Sequence, residues 1–133
     1  MKITHLPVNF RDDRGTILDI FVGESHEHCT IITTKKGGVR GSHYHKLSRQ
    51  QDFLVSGSME IYSKEMPDGR VSRTVFEAND LVAWEPNEAH EFVAIEDSIF
   101  LTFVNGLRGG KDFEQDTIRL DTPLHEQFSK QTS

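Results

Sequence analysis

The strongest constraint on the fold is the regular interruption of short apolar segments by turn-forming residues. Short segments rich in β-branched and aromatic residues alternate with Gly, Pro, Asn and Asp, and helical periodicity is largely missing. The pattern predicts strands at Gly15–Val22, Cys29–Thr34, Val39–His45, Asp52–Val55, Ser58–Lys64, Arg70–Phe76, Asp80–Trp84, His90–Ile95 and Ser98–Asn105. Many short strands in one chain need a sandwich or a barrel to protect their edges. The sequence therefore predicts an all-β fold of antiparallel strands.

Four local features refine this prediction. Met66–Gly69 combines Pro and Gly in the manner of a tight hairpin turn. Ser98–Asn105 is largely apolar on both faces, so we expect it to lie centrally in a sheet. The segment from Leu124 onward predicts a short C-terminal helix. Cys29 is the single cysteine, which excludes an internal disulfide, and its β-branched neighbours predict a buried, inert thiol.

The length and composition limit the class of protein. A chain of 133 residues suits one domain with a real core, so we expect a single domain over residues 1–133. No apolar run approaches the length that crosses a bilayer, and the first residues lack the apolar segment of a secretory leader. We therefore expect a soluble, cytoplasmic protein without membrane contact. The formal net charge of −6 argues against nucleic-acid binding, since contact with phosphates requires a basic surface.

Charge is unevenly distributed along the chain. The stretch from Lys35 to Arg49 has no acidic residue and contains Lys35, Lys36, Arg40, Lys46 and Arg49. The stretch Glu77–Asp97 is acidic and contains no Lys or Arg. A local basic stretch in an acidic protein suits a small anionic ligand better than a polymer, and ordinary solvated strand ends are the alternative.

Histidines provide the candidate functional site. His43 and His45 are two positions apart in a predicted strand, so both project from one face and Tyr44 projects from the other as a packing residue. Gln50 could reach the same space, and His90 could approach if its strand is a neighbour. Paired imidazoles can bind a first-row divalent metal or transfer protons near neutral pH. The remaining histidines are expected at the surface or the termini, namely His5, His26, His28 and His125.

The spacing of these residues resembles the first cupin motif, written here as Gly37-x5-His43-x-His45-x4-Gln50-x6-Gly57, with Gln50 in place of the usual Glu. The second motif is weaker. His90 occupies its histidine position, whereas Asn79, Glu85, Asn87 and Ala94 depart from the usual residues, and Asn87 partly restores the turn because Asn tolerates left-handed φ. The resemblance implies a cupin jelly roll, an antiparallel β-barrel or double-stranded β-helix with its core over about residues 10–120. It also implies a homodimer, with a strand near Thr4 to Phe10 exchanged between subunits.

A narrower resemblance involves Val39-Arg-Gly-Ser-His-Tyr-His-Lys46, the preceding Asp13-Arg-Gly15 and the later segment Arg108–Leu120. These stretches are similar to the small cupins of nucleotide-sugar metabolism. That group includes the dTDP-4-keto-6-deoxyglucose 3,4-ketoisomerases, the dTDP-4-dehydrorhamnose 3,5-epimerases and the cupin domains of capsule-sugar reductases. The resemblance implies that His43 and His45 act as acid and base, with Arg40 near the anionic part of the ligand.

Three hypotheses follow for the function. The first is an isomerase or epimerase of a nucleotide-linked keto sugar, with His43 and His45 as catalytic residues, Arg40, Lys46 and Trp84 as substrate-binding residues, and no required cofactor. The second is a cupin that binds a divalent metal, such as Zn, Ni, Mn or Fe, through His43, His45, Gln50 and His90. The third is a non-catalytic module that binds an anionic sugar. The fold alone does not choose among them.

Overall fold

The computed structural model describes residues 1–106 and 115–132. In chain order the elements are β1 (Lys2–His5), β2 (Phe10–Asp12), β3 (Gly15–Ile17), β4 (His28–Thr34), β5 (Val39–His45), β6 (Arg49–Ser56), β7 (Ser58–Glu65), β8 (Ser72–Glu77), β9 (Asp80–Trp84), β10 (Glu88–Ala94), β11 (Ser98–Asn105), β12 (Thr117–Arg119) and α1 (Leu124–Thr132). Strands β2 and β3 form a separate hairpin near the N-terminus. The predicted all-β class and the C-terminal helix are both confirmed.

Two five-stranded antiparallel sheets make up the body of the protein. The first has the strand order β1-β9-β6-β11-β4 and the second has the order β12-β5-β10-β7-β8. Because most neighbours in a sheet are not consecutive in the chain, the topology is that of a jelly roll. An apolar core fills the space between the sheets, with Leu54, Val82 and Phe100 from the first sheet and Met59, Ile61, Phe76 and Phe92 from the second.

The two sheets do not close into a continuous hydrogen-bonded barrel among the described residues, which corrects the expectation of a closed barrel. The edge strand β12 pairs with His43–His45 of β5, and no strand in the described part of the chain pairs with the first half of β5 on that side. A side chain spans this seam instead. The Arg40 guanidinium donates to the Thr33 carbonyl at 2.8 Å and to the Thr34 hydroxyl at 3.3 Å, both on β4.

Several strand predictions agree with the structure at both ends. Val39–His45, Asp80–Trp84 and Ser98–Asn105 begin and end at the predicted residues. The last of these lies between β6 and β4, which confirms its predicted central position. The predicted turn Met66–Gly69 closes through the Gly69 N–H, which donates to the Glu65 carbonyl at 2.8 Å.

Other predictions differ from the structure. The residue pattern did not predict the short strands β1, β2 and β12, because strands of three or four mostly polar residues carry no clear alternation. The strand that the resemblance implied near Thr4 to Phe10 overlaps β1 and the first residue of β2, and its exchange between subunits stays a prediction. The predicted Gly15–Val22 strand ends at Ile17. Cys29 is exposed and not buried, because it lies on the outward face of β4, an edge strand.

Helix α1 covers part of the outer face of the second sheet. Leu124 is fully buried there with Tyr62, Val71 and Ala89, and Tyr44 packs against this cluster from β5. Tyr44 thus points away from the histidines, as predicted. Among the described residues there is no helix with the length and apolar character that crossing a bilayer requires.

Candidate active site

The three predicted histidines meet inside the jelly roll. His43 on β5 lies directly opposite His90 on β10, and His45 lies two positions further along β5. The ring centroids are 5.0 Å apart for His43 and His45, 4.8 Å for His43 and His90, and 5.4 Å for His45 and His90. Strand alternation predicted the shared face of His43 and His45, and the condition set for His90, that its strand be a neighbour of β5, is met.

A cavity of about 160 Å³ opens beside this cluster. We call it the histidine cavity, and it is lined by Ile32, Arg40, Gly41, His43, Gln50, His90, Phe92, Phe100 and Thr102. Its walls combine aromatic carbon with a few polar groups, the usual composition of a small-molecule site. His45 is buried next to the cavity and is not part of its lining.

The protonation of the His45 ring is fixed by a backbone contact. His45 Nδ1 lies 3.1 Å from the carbonyl oxygen of Asp116. Because a carbonyl can only accept, Nδ1 carries the proton and Nε2 keeps its lone pair. The Asp116 carboxylate holds the turn after β5 by accepting the backbone N–H groups of Lys46, Leu47 and Ser48 at 3.0, 2.9 and 2.8 Å. Burial raises the pKa of Asp116, but these hydrogen bonds and one from the Ser48 hydroxyl outweigh it and lower the pKa below the usual 3.8.

His90 is a neutral ring at the bottom of the site. It is 1% exposed, and neither ring nitrogen has a hydrogen bond of good geometry among the described residues. Burial lowers the pKa of His90 well below the usual 6.5, and the neighbouring His43 and His45 lower it further, against a smaller opposite effect of the Glu88 carbonyl. At neutral pH His90 therefore offers a lone pair and one N–H and carries no charge.

Gln50 is oriented by a buried carboxylate that sequence reasoning missed. Asp52 is 0% exposed. Its carboxylate accepts hydrogen bonds from the Gln50 amide N–H₂ at 2.9 and 3.1 Å, from the Trp84 indole N–H at 2.9 Å and from the Thr102 hydroxyl at 2.7 Å. Since the carboxylate takes the amide N–H₂, the amide oxygen of Gln50 is turned away from it. The available signal was an acidic residue directly before the apolar run Phe53–Val55.

The predicted substrate-binding residues lie in three different places. Arg40 lines the histidine cavity. Lys46 is exposed in the turn that follows β5. Trp84 is 3% exposed and stands behind His90 with a ring separation of 4.9 Å, so it supports the imidazole and is not among the cavity lining. A ligand-binding role for Trp84 stays a prediction.

Outside the cluster, His26 is placed differently from the surface position expected. Its side chain is only 10% exposed and packs on the Phe21 ring, with the ring centroids 4.1 Å apart, in the loop before β4. The His125 ring binds the buried Glu91 carboxylate at 2.6 Å. The Phe103 ring, distant in sequence, also packs on His26 with the ring centroids 5.4 Å apart. The His125 side chain remains 37% exposed near the C-terminus, as expected.

The family of the chain follows from a sequence comparison. A family described as the polysaccharide biosynthesis C-terminal domain matches residues 10–107, well over half of the chain. The chain belongs to this family. The matched segment runs from β2 to the end of β11, so His43, His45, Gln50 and His90 all lie in the part that defines the polysaccharide biosynthesis C-terminal domain. No curated protein sequence matches the chain.

Solved structures share the fold of this polysaccharide biosynthesis C-terminal domain. A 3,4-ketoisomerase from Helicobacter canadensis superposes with a TM-score of 0.75 at 19% identity, covering 99% of this chain and 97% of its own. QdtA, a sugar 3,4-ketoisomerase from Thermoanaerobacterium thermosaccharolyticum solved with TDP, gives 0.74 at 17% identity, covering 97% and 92%. The dTDP-4-dehydrorhamnose 3,5-epimerase from Sulfolobus tokodaii gives 0.71 at 21% identity, covering 88% and 78%. At such low sequence identity, the TM-scores establish a shared jelly-roll fold.

Part of the motif evidence lies outside the described residues. The segment Arg108–Leu120 contributed to the narrower resemblance, and residues 108–114 of it are not described. The other two stretches are described: Asp13–Gly15 forms the tip of the β2–β3 hairpin, and Val39–Lys46 covers β5 and the first residue of the following turn.

The three imidazoles partly meet the requirements of a divalent metal. One ligand atom from each of His43, His45 and His90 lies within 4.8 Å of the others. A tetrahedral site with metal–nitrogen distances of about 2.0–2.1 Å needs nitrogens about 3.4 Å apart, so the rings would have to move inward. His45 has the anchored Nδ1–H that metal-bound histidines usually show. The donor set is neutral, because imidazole nitrogens supply it and the nearby Asp52 carboxylate accepts hydrogen bonds from Gln50, Trp84 and Thr102.

Proposed function

We propose that this polysaccharide biosynthesis C-terminal domain is a ketoisomerase or epimerase of a nucleotide-linked keto sugar, with His43 and His45 as the proton-transfer pair. The observation that supports it most is the cluster of imidazoles beside a small aromatic-walled cavity. The jelly roll shared with sugar 3,4-ketoisomerases and a 3,5-epimerase points to the same substrate class.

The chemistry that suits this cluster is proton transfer next to a ketone. The hydrogen on the carbon beside a carbonyl can be removed when the resulting enediolate is stabilised. His43 lines the cavity and is placed to take this proton as a neutral imidazole. His45, with Nδ1–H held by the Asp116 carbonyl, offers Nε2 as the second proton-transfer atom. Each well-placed acid or base contributes about 10²–10⁴-fold in rate.

The size of the histidine cavity indicates which part of such a substrate it can hold. A volume of about 160 Å³ suits a sugar ring, whereas sites for larger ligands occupy about 300–1,000 Å³. The nucleotide would therefore remain outside the cavity. Arg40 in the lining and Lys46 in the exposed turn are two cations of the described residues that could meet the diphosphate and the negative charge that develops on the sugar.

Hydrogen exchange tests this proposal. The protein is incubated in heavy water with a panel of dTDP-linked 4-keto-6-deoxy sugars, and proton NMR follows the hydrogens beside the ketone. We expect exchange at one of these carbons, followed by an isomerised or epimerised product. Binding of the sugar nucleotides without exchange would favour the non-catalytic module, and neither binding nor exchange would contradict the proposal.

A metal site is the second candidate, because the three histidine ligand atoms lie within 4.8 Å of one another. His43, His45 and His90 would hold the ion, with the Gln50 oxygen as a neutral fourth ligand, and the ion would supply Lewis-acid polarisation of a carbonyl. Untagged protein is analysed for Zn, Ni, Mn and Fe before and after chelation. Stoichiometric metal that His90→Ala removes, and that Lys46→Ala retains, would favour this candidate, and metal-free active protein would contradict it.

Two further expectations remain predictions. Homodimer formation is checked by sedimentation equilibrium of the full chain, where a monomer at micromolar concentration would contradict it. The cytoplasmic location is checked by fractionation of the source cells.

A further inference from the structure

A β-bulge interrupts β5 next to His43. The pairing with β10 shifts between His90 and Glu91, so that His43 lies opposite His90 while Gly41 lies opposite Glu91. Ser42 is the additional residue, and its φ of 63° is left-handed, which is uncommon for a residue other than glycine. Gly41 has a φ of 90°, and a Cβ there would lie 2.7 Å from the His90 carbonyl oxygen. The bulge therefore requires glycine at position 41.

The bulge decides which way Arg40 points. In a regular strand, residues three positions apart face opposite sides, so Arg40 would point away from the side of His43. The additional residue reverses this. Arg40 lies opposite Phe92, a core residue that is 2% exposed, and both line the histidine cavity with His43. Without the bulge the cavity would lose the only Lys or Arg that lines it in the described part of the chain.

A buried carboxylate on the other face of the sheet holds the bulge. Glu91 is 0% exposed and accepts a hydrogen bond from the Ser42 hydroxyl. It also accepts the first backbone N–H groups of α1, from Leu124 at 3.1 Å and from His125 at 3.0 Å. The Ser42 carbonyl accepts the Leu120 N–H at 2.9 Å. A carboxylate is favoured at a helix N-terminus, so these contacts tie the start of α1 to the bulge.

We propose that Glu91 and Ser42 are positioning residues of the candidate active site, through which the N-terminus of α1 holds the bulge that turns Arg40 into the histidine cavity. Neither residue lines the cavity. This inference rests on the proposed function in one respect, because the anion that Arg40 meets is taken to be the diphosphate or the enediolate of a sugar nucleotide.

Four variants test the proposal. Glu91→Gln removes the charge from the carboxylate, and Ser42→Ala removes the hydroxyl. Glu126→Gln and Ser129→Ala make the same chemical changes at exposed positions of α1 and serve as matched controls. Titration calorimetry with dTDP measures affinity. We expect Glu91→Gln and Ser42→Ala to weaken binding about tenfold to hundredfold, because a misplaced guanidinium loses its charge-assisted hydrogen bonds to the diphosphate. Both controls should remain within about twofold of the wild type.

A second measurement needs no ligand. The Arg40 Nε–H donates to the Thr34 hydroxyl, so its nitrogen–proton NMR signal reports where the side chain lies and how fast it exchanges with water. We expect faster exchange and shifted His43 ring signals in Glu91→Gln and Ser42→Ala only. If Glu91→Gln does not fold, Ser42→Gly removes the hydroxyl while tolerating the left-handed φ.

The two measurements separate the possible failures. If the wild type binds no dTDP, the proposed function fails and the NMR measurement alone decides the positioning role. Folded Glu91→Gln and Ser42→Ala proteins with unchanged Arg40 and His43 signals would overturn it. If the NMR signals move but dTDP affinity does not, the positioning role is supported and the diphosphate is excluded as the anion that Arg40 meets.

Discussion

The space between the two sheets has two ends of opposite character. At one end the side chains are apolar and almost completely buried, namely Leu54, Met59, Ile61, Phe76, Val82 and Ala94. At the other end lie three histidines, Gln50 and Asp52, with a cavity of about 160 Å³ beside them. The same strands supply both ends. The inward side chains of β6 are Gln50, Asp52 and Leu54, and those of β10 are His90, Phe92 and Ala94.

This difference separates what stabilises the fold from what the site does. Apolar side chains that fill the space contribute about 1.5–3 kcal/mol each on burial. A buried polar group without a hydrogen bond has the opposite effect, because its desolvation lowers the stability of the fold by about 1–3 kcal/mol. His90, with neither ring nitrogen bonded among the described residues, belongs to the second kind. We infer that the polar end is maintained for chemistry at some expense in stability.

The largest expected effect is on catalysis at the polar end. His43→Ala should reduce the rate of hydrogen exchange beside the sugar ketone by about 10²–10⁴-fold, because the base is lost. Its free energy of unfolding should change by less than about 1 kcal/mol, because surface or half-buried substitutions outside the core have small effects. Proton NMR in heavy water and urea unfolding measure the two quantities. If His43→Ala is strongly destabilised but its folded fraction exchanges hydrogen at the normal rate, the proposed difference between the two ends is contradicted.

The apolar end should show the reverse pattern. Leu54 is 0% exposed and does not line the histidine cavity. Leu54→Ala should lower the free energy of unfolding by about 2–5 kcal/mol through lost burial and a residual cavity. The folded fraction should exchange hydrogen at the wild-type rate. Urea unfolding with exchange measured in the absence of urea checks both, and a large loss of exchange activity would show that the two ends are coupled.

Asp52 marks the boundary between the ends. It accepts hydrogen bonds from Gln50, Trp84 and Thr102. Asp52→Asn places an N–H₂ among these donors, so we expect a loss of about 1–3 kcal/mol in the free energy of unfolding. The exposed Asp13→Asn is the matched control and should have almost no effect. Equal stability of the two variants would mean that the carboxylate is not a structural element of the site.

The smallest effect expected is a pH dependence from His90. Its pKa in the folded protein is well below 6.5, chiefly through burial, so in acid the unfolded chain binds the proton first. Stability is therefore retained above pH 6.5 and falls as the pH drops below it, by roughly 1 kcal/mol between pH 7.5 and 5.5. Urea unfolding at both pH values should show this loss in the wild type and a smaller one in His90→Gln. Identical pH dependence in the two proteins would contradict the assignment.

The sequence predicted the regular parts of the fold well. Alternation and turn residues located β5, β9 and β11 at both ends, because those strands are long or bounded by strong turns. The paired histidines were predictable because a spacing of two places side chains on one face. The expected left-handed turn at Asn87 is present, with a φ of 68°.

The parts that could not be predicted depend on partners distant in sequence. In the sequence, Asp52 and Glu91 are indistinguishable from exposed acidic residues of a strand. Their burial is explained by hydrogen-bond donors from β9 and β11 for Asp52 and from α1 for Glu91. The bulge at Ser42 is equally hidden, since it is defined by the register against β10. Arg40 was assigned to the ligand through family resemblance, and the structure supplies the physical reason why it reaches the histidine cavity.

The most direct test of the central claim is a crystal structure of the protein soaked with a dTDP-linked 4-keto-6-deoxy sugar and with a divalent metal in separate crystals. We expect the sugar ring in the histidine cavity beside His43 and His90, with the carbon beside the ketone within hydrogen-bonding range of an imidazole nitrogen and the diphosphate outside the cavity. A sugar nucleotide bound elsewhere, or a histidine cavity that stays closed to it at saturating concentration, would contradict the claim that the polar end is the site of sugar chemistry.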